Sequence, residues 1–293
     1  MEQNVLVTIG IPIYYGEIYL EETLQNILGQ SFQDFEIILA DNNPGGKVEE
    51  IAVEYSKNHK NIRYIRHEKN IGALANWNSL ITHATGKFFI YAGGHDLWSD
   101  FFLERLVQKM ENSPDAVLAY APSFWMEDKP EDSTRSTGFF DTTGHSFIQR
   151  FNAVFWGPEE SLYGLIRTDA IAKTRLQAQI IGSGAVWLTE LSLSGHFMVV
   201  PDICRYRRKN REEEDRHKRL KRYYKTLFKR EKIYWLPYWK FFFYYLSVPF
   251  TGKTGFGNRL KIFFSILGGF LVRYLPDMLL DIVYVFRRIF KKY

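Results

Sequence analysis

The sequence predicts a doubly wound α/β fold, with a mostly parallel sheet flanked by helices, from three observations. Short apolar runs of aliphatic and aromatic residues recur at 5–13, 35–40 and 87–92. Stretches with helical spacing of apolar residues lie between them. The runs end in polar, turn-forming residues, as strands do at the ligand-binding edge of an open α/β sheet.

The first run, Val5-Leu6-Val7-Thr8-Ile9-Gly10-Ile11-Pro12-Ile13, is continuously apolar and reads as a central strand buried on both faces. A helix over 17–29 follows, marked by Ile18, Leu20, Leu24, Ile27 and Leu28. The next strand, Phe35 to Ala40, runs into Asp41-Asn42-Asn43-Pro44-Gly45-Gly46, a loop signal. Residues 47–59 read as a helix, 61–66 as a short strand, 72–85 as a helix and 87–92 as a strand. A helix at 99–112, a strand at 116–120 and a polar loop at 127–146 come next. Helices are expected around 146–154, from Asp169 and over 185–193, with Tyr163-Gly164-Leu165-Ile166-Arg167 between the first two.

Two carboxylates, Asp41 and Asp96, fall where strands end. Asp96 closes the triplet Gly94-His95-Asp96, in which it is the one anionic ligand and His95 adds an imidazole. An acidic residue at such a position is where many α/β enzymes hold a metal-bound phosphate.

The chain has 293 residues, is 46% apolar and holds one cysteine, Cys204. It can therefore bury a substantial core, and neither an intrachain disulfide nor a cysteine-built metal site is possible. The start Met1-Glu2-Gln3-Asn4 lacks the regions of a signal peptide, so a cytoplasmic location is expected.

The net charge of +5 is unevenly spread: residues 205–232 carry fourteen Lys or Arg against five acids. The aromatic-rich segment 233–250 and the apolar segment 260–290 follow. Pro237, Lys240 and Pro249 interrupt the first; Lys261, Arg273, Asp277, Asp281, Arg287 and Arg288 are interspersed in the second. This mixture fits helices lying in a membrane interface better than helices crossing it. The competing reading is packing on the globular domain or on a second subunit, homo- or hetero-oligomeric. No basic groove, stacking motif or recognition helix supports a nucleic-acid partner.

Several segments resemble one family. Val7 to Ile13 with Tyr14-Tyr15-Gly16-Glu17, then Ser31-Phe32-Gln33-Asp34-Phe35-Glu36-Ile37-Ile38-Leu39-Ala40-Asp41-Asn42, then Asn70-Ile71-Gly72 with Asn76 and Asn78, are similar to the opening of a family 2 glycosyltransferase. The resemblance covers about residues 5 to 208. It implies a GT-A fold over 1–208, with 209–293 left as a basic, aromatic helical region that associates with a membrane. It also implies a UDP- or GDP-type sugar donor, a glycan or lipid-linked acceptor, a divalent metal (manganese or magnesium) and inversion at the anomeric carbon. By the same resemblance Pro12, Tyr14, Glu17 and Asp41 lie against the nucleotide base, and the helix after Gly72, with Asn76, faces the donor. Asp96 and His95 hold the metal, with His95 where relatives carry an acid. Arg207 or Arg208 reaches the diphosphate, while Arg205 is assigned to the start of the basic run.

A second departure concerns the proton. Transfer to a hydroxyl needs a general base, and relatives place an acid where this chain has Gly184. Glu190, Glu160 and Glu159 are the carboxylates considered in its place. Loss of the acids at Gly94-His95 and Gly184 also motivates a second expectation, a catalytically impaired relative that binds a nucleotide sugar or acts as a scaffold. The donor sugar, the base and the acceptor are not specified by the chain.

Overall fold

The computed structural model describes residues 5–14, 17–43, 45–135, 138–208, 218, 220–221, 236–251 and 254–290. Its first half alternates as the sequence predicts: β1 (Val7–Ile13), α1 (Glu17–Leu28), β2 (Phe35–Asp41), α2 (Lys47–Asn58), β3 (Ile62–Arg66), α3 (Ala73–Thr82) and β4 (Phe88–Tyr91). Then come β5 (Leu97–Trp98), α4 (Phe102–Glu111), β6 (Ala116–Tyr120), β7 (Ser123–Met126) and β8 (Thr134–Arg135). The remainder of this part comprises α5 (Phe147–Trp156), a 3-10 turn (Glu159–Tyr163), β9 (Leu165–Arg167), α6 (Thr168–Ile171), α7 (Ser183–Ser192), β10 (His196–Val199) and β11 (Arg205–Arg208).

Seven strands form the main sheet in the order β10-β6-β9-β4-β1-β2-β3. All its pairings are parallel except those of β9, which runs antiparallel to β4 and β6. This mostly parallel sheet flanked by helices is the predicted α/β architecture. Every residue of β2 is buried, and so are all but Pro12 of β1, in keeping with a sheet covered on both faces. Gly10 is required at the centre of β1, because a Cβ there would sit 2.8 Å from the Phe89 ring on β4. The parallel register aligns Ile13 with Asp41, so the loops after β1 and β2 leave the sheet side by side.

A second sheet, β5-β11-β7-β8, stands beside the first. The sequence reading missed it. All four of its strands have only two to four residues, too short for periodicity to register, and β11 is Arg205-Tyr206-Arg207-Arg208, which reads as the start of a basic run. The predicted polar loop over 127–146 correspondingly contains β8.

At the C-terminal end, α8 (Pro237–Leu246), α9 (Phe256–Arg273) and α10 (Leu275–Phe290) pack against α5 and the start of α7. Phe241, Tyr245, Ile262, Ile266 and Phe270 share a buried cluster with Phe151, Phe155, Ile181 and Val186. Each fully buried side chain of this size contributes about 1.5–3 kcal/mol. Asp281 on α10 accepts the Tyr238 amide of α8 at 2.7 Å, satisfying a donor that the first turn of a helix leaves open. The opposite faces of α9 and α10 are apolar and exposed, including Phe264 at 64% and Val272 at 78%. Among the described residues no single helix is long and apolar enough to cross a membrane; α9 and α10 meet that test only as a pair, bent by 70°. Of the basic run, Arg205 to Arg208, Lys218 and Lys221 are described, and the rest lies outside the described residues.

Candidate active site at the carboxyl edge of the sheet

The carboxyl ends of β1, β2 and β4 meet in a network of side-chain amides and carboxylates. Asp41, fully buried at the end of β2, accepts the Asn43 amide at 2.8 Å and the Tyr64 hydroxyl at 2.8 Å. Burial and this bond to Asp41 push the Tyr64 hydroxyl pKa well above its ordinary value, so Tyr64 remains a donor. Asn42 accepts the Ile71 amide at 2.7 Å and donates to Asn70 at 3.1 Å, and Asn70 accepts the Gly72 amide at 2.8 Å. These bonds pin the Asn70-Ile71-Gly72 turn against the end of β2. Gly72 has φ 90° and ψ 148°, a backbone region used almost only by glycine, and it starts α3.

Some of the nucleotide candidates are therefore structural. Asn76, expected to face the donor, is buried with both ends of its amide used: Nδ2 donates to the Ala40 carbonyl at 2.9 Å and Oδ1 lies 2.9 Å from His67 Nε2. Asn78 exchanges two bonds with the Gln177 backbone. Asp41 likewise holds its own loop, with no surface left for a base edge. Pro12 and Tyr14 are partly exposed where β1 ends, and the Tyr14 carbonyl accepts Asn43 Nδ2 at 3.4 Å. Glu17 opens α1; its side chain, like Tyr15 and Gly16, lies outside the described residues.

The second cluster is built around Arg205, the residue that sequence reasoning set aside. Asp96 follows β4 in a tight turn in which its amide bonds the Gly93 carbonyl at 3.1 Å. A Cβ on Gly93 would come 2.8 Å from Asp96 Oδ2, so the carboxylate folds back over that glycine. Arg205 Nη1 lies 3.4 Å from Asp96 Oδ2 and Arg205 Nη2 lies 3.3 Å from Glu160 Oε2. Ser123 accepts from the same guanidinium at 3.0 and 3.3 Å, and the Tyr163 ring stacks 3.8 Å beneath it. Burial lowers the Arg205 pKa while the Asp96 charge opposes that, and burial raises the Tyr163 pKa.

Arg207 Nη1 contacts both Glu160 oxygens, at 2.9 and 2.8 Å, and its guanidinium covers the Trp125 ring. Strand periodicity explains why Arg205 and Arg207 converge: alternate residues share one face of β11. That spacing of two was the signal available in the sequence. Arg208 points the other way, to Glu22 at 2.5 Å and to the carbonyls of His95 and Asp128 at 3.2 Å. It ties the Gly94-His95-Asp96 turn to α1 and does not share the Asp96 cluster. His95 is partly exposed, with Nε2 3.7 Å from Asp96 Oδ1.

Glu190 does not reach this cluster. On α7 it is buried, and its oxygens take the Arg175 amide at 2.9 Å and Arg175 Nε at 2.7 Å, with a further bond from Arg175 Nη2. Glu190, expected as a base, is instead enclosed by Arg175 and lies outside the Asp96 cluster. Glu160 stays at the site, engaged by two guanidinium groups.

The model for "Glycosyl transferase family 2" matches residues 8–161, which hold Asp41, Asp96 and Glu160. The chain belongs to glycosyl transferase family 2. An uncharacterised glycosyltransferase of Methanocaldococcus jannaschii is 26% identical over 247 residues, covering 79% of this chain and 83% of that protein. The uncharacterised glycosyltransferase EpsJ of Bacillus subtilis is 33% identical over 108 residues, and the match spans only 31% of its length. Among solved structures, S. aureus TarS superposes with a TM-score of 0.65 at 12% identity, over 93% of this chain and 44% of TarS. A TarS fragment, residues 1-349, in complex with UDP-GlcNAc gives 0.63 at 14% identity, over 96% of this chain and 79% of the fragment. At that identity the likeness establishes the GT-A fold. The enzyme is thus a glycosyltransferase, and the Asp96 cluster lies at the ligand edge of its sheet.

Proposed function

We propose that this transferase moves a sugar from a nucleotide-diphosphate donor of UDP or GDP type to a glycan or lipid-linked acceptor, with inversion at the anomeric carbon. The observation that carries the reading is the Asp96–Arg205–Glu160 cluster, which gathers two carboxylates and two guanidinium groups where β4 ends. Arg207 is a quarter exposed and uses one nitrogen on Glu160, so its other N–H donors remain to grip a diphosphate in the planar fork that suits phosphate oxygens. Arg205, held rigid on Tyr163 and Ser123, sets the position of both carboxylates. The UDP-GlcNAc bound by the TarS fragment supports a nucleotide-sugar donor for this fold.

Among the described residues no three His, Cys, Asp or Glu side chains gather into a metal cage. Asp96 with His95 nevertheless fits a divalent ion shared with a ligand, since magnesium and manganese in phosphate sites take one or two protein ligands and complete their shell from phosphates and water. Such an ion would neutralise the charge that builds on the leaving diphosphate.

The same proposal seats the enzyme on the cytoplasmic face of a membrane. The exposed apolar faces of α9 and α10, with Phe256, Phe264, Val272 and Phe290, support it, because contiguous apolar surface of this kind marks an interaction site.

The test is a thermal-shift screen of UDP-glucose, UDP-GlcNAc, GDP-mannose and CDP-sugars with manganese or magnesium, followed by turnover of the best binder. A UDP- or GDP-sugar should raise the melting temperature and be consumed, and Asp96→Ala should abolish consumption. Unchanged turnover in Asp96→Ala sinks the site assignment.

A further inference from the structure

Transfer to a hydroxyl releases a proton, and the group that takes it needs a lone pair directed into the cleft. Four of the carboxylates discussed above are already engaged. Asp41 is held by Tyr64 and Asn43, Asp96 by Arg205, Glu160 by Arg205 and Arg207, and Glu190 by Arg175. Glu159 differs: among the described residues no donor hydrogen-bonds its carboxylate, and although the residue as a whole keeps exposed surface, its carboxyl end is packed against Gly184.

Its location is set by two glycine-dependent contacts. A Cβ built on Gly184, in the first turn of α7, would lie 2.7 Å from Glu159 Oε2, closer than real Cβ atoms approach oxygen. The Glu159 carboxylate therefore occupies the space that a side chain at residue 184 would take. Leu162, at 3.4 Å from the same point, forms the apolar wall. Gly157 holds the approach to the turn, since a Cβ there would overlap the Phe140 ring at 2.4 Å and the Ala153 carbonyl at 2.6 Å. Glu159 begins the 3-10 turn that carries Glu160, so it sits one residue from the arginine cluster.

We propose that Glu159 is the proton acceptor of the transfer, its carboxylate taking the place of a side chain absent at Gly184. This rests on the donor-to-acceptor reading above. In the step, the acceptor oxygen forms a bond to the anomeric carbon while its proton passes to Glu159. The bond from that carbon to the donor phosphate breaks, and its electron pair leaves with the nucleoside diphosphate. Desolvation of the carboxyl group raises the Glu159 pKa, the direction that makes a carboxylate a stronger base. Among the described residues, the charged and titratable groups facing it are Glu160 on its own turn, Arg273 and Tyr274 at the end of α9, and Tyr245 on α8. Arg273 opposes the rise and Glu160 adds to it. Residues of α8 and of the end of α9 thus flank the Glu159 carboxylate.

The test follows release of UDP from UDP-GlcNAc with manganese, water serving as acceptor, in the full chain across pH. Glu159→Gln should lower kcat by about 10²–10⁴-fold, leave the donor dissociation constant in place and flatten the acidic limb of the pH profile. Glu159→Ala combined with Gly184→Asp, which returns a carboxylate to the same space from the other side, should recover part of the rate. A Glu159→Gln protein with the parent's rate and pH profile overturns the assignment while leaving the transferase reading intact. So does a variant whose loss of rate is matched by loss of donor binding, since that marks a positional role. A parent enzyme that binds and cleaves no nucleotide sugar defeats the donor reading itself, and this assignment with it.

Discussion

Replacing Arg175 with methionine strands a buried carboxylate. Glu190 is 1% exposed and depends on the Arg175 guanidinium for its charge balance, keeping only the residue 175 amide once that group is gone. Removing one partner of a buried pair costs 3–5 kcal/mol. The Arg175 side chain is 32% exposed, and water reaching the site places the cost at the low end, about 3 kcal/mol. At roughly 2–4 °C per kcal/mol for a domain of this class, the melting temperature should fall by about 6–12 °C. The loss also removes the bond from Arg175 to Ser247 and its stacking on Tyr244, so the junction of α8 with the α/β domain should loosen. The assay is thermal unfolding by circular dichroism beside donor turnover, with Glu190→Gln and the double variant Arg175→Met/Glu190→Leu in parallel. The double variant should be more stable than the sum of the singles predicts, because it leaves no charge unpaired. A Glu190→Gln protein that melts with the parent yet loses its turnover would refute this reasoning and return Glu190 to the chemistry.

Two further outcomes follow from the same structure. Because burial raises the folded-state pKa of Glu159 above the ordinary glutamate value of 4.5, the native state holds that proton more tightly than the unfolded chain. Its contribution to stability is present below the unfolded value and is lost as pH rises through the folded one. Glu159→Gln should therefore gain stability relative to the parent between acid and neutral pH, which urea melts at several pH values will show; an unchanged difference across that range contradicts it. Phe263, Phe264 and Val272 changed together to serine should leave the melting temperature near the parent's, since all three are exposed, while cutting flotation with anionic vesicles. Equal flotation of parent and variant removes α9 as the membrane seat.

Much of the fold was legible because its signals are local. The runs of β1, β2 and β4 are apolar on both faces, and α2 and α3 carry helical spacing, so the alternation that defines the sheet is written residue by residue. The antiparallel β9 and the small second sheet were not, because strands of two to four residues carry too few positions for a period. The helices of 236–290 were visible as amphipathic, but which face meets α5 was not.

For the site, the chain alone placed Asp41 and Asp96 at strand ends, and the resemblance to family 2 glycosyltransferases marked Gly184 as lacking an acid. Tertiary structure then decided what each group does. Asp41 and Asn76 spend their hydrogen bonds within the loops, Glu190 is neutralised by Arg175, and Arg205, discounted in the sequence, becomes the centre of the Asp96 cluster. The physical reason is that a carboxylate's role depends on which donor lies within about 3 Å of it. Arg205 stands 109 positions from Asp96 and Glu159 stands 25 from Gly184, distances along the chain that no spacing rule connects. Residue type and local pattern determined the sheet and its ligand edge; only packing determined which donors the described carboxylates at that edge meet.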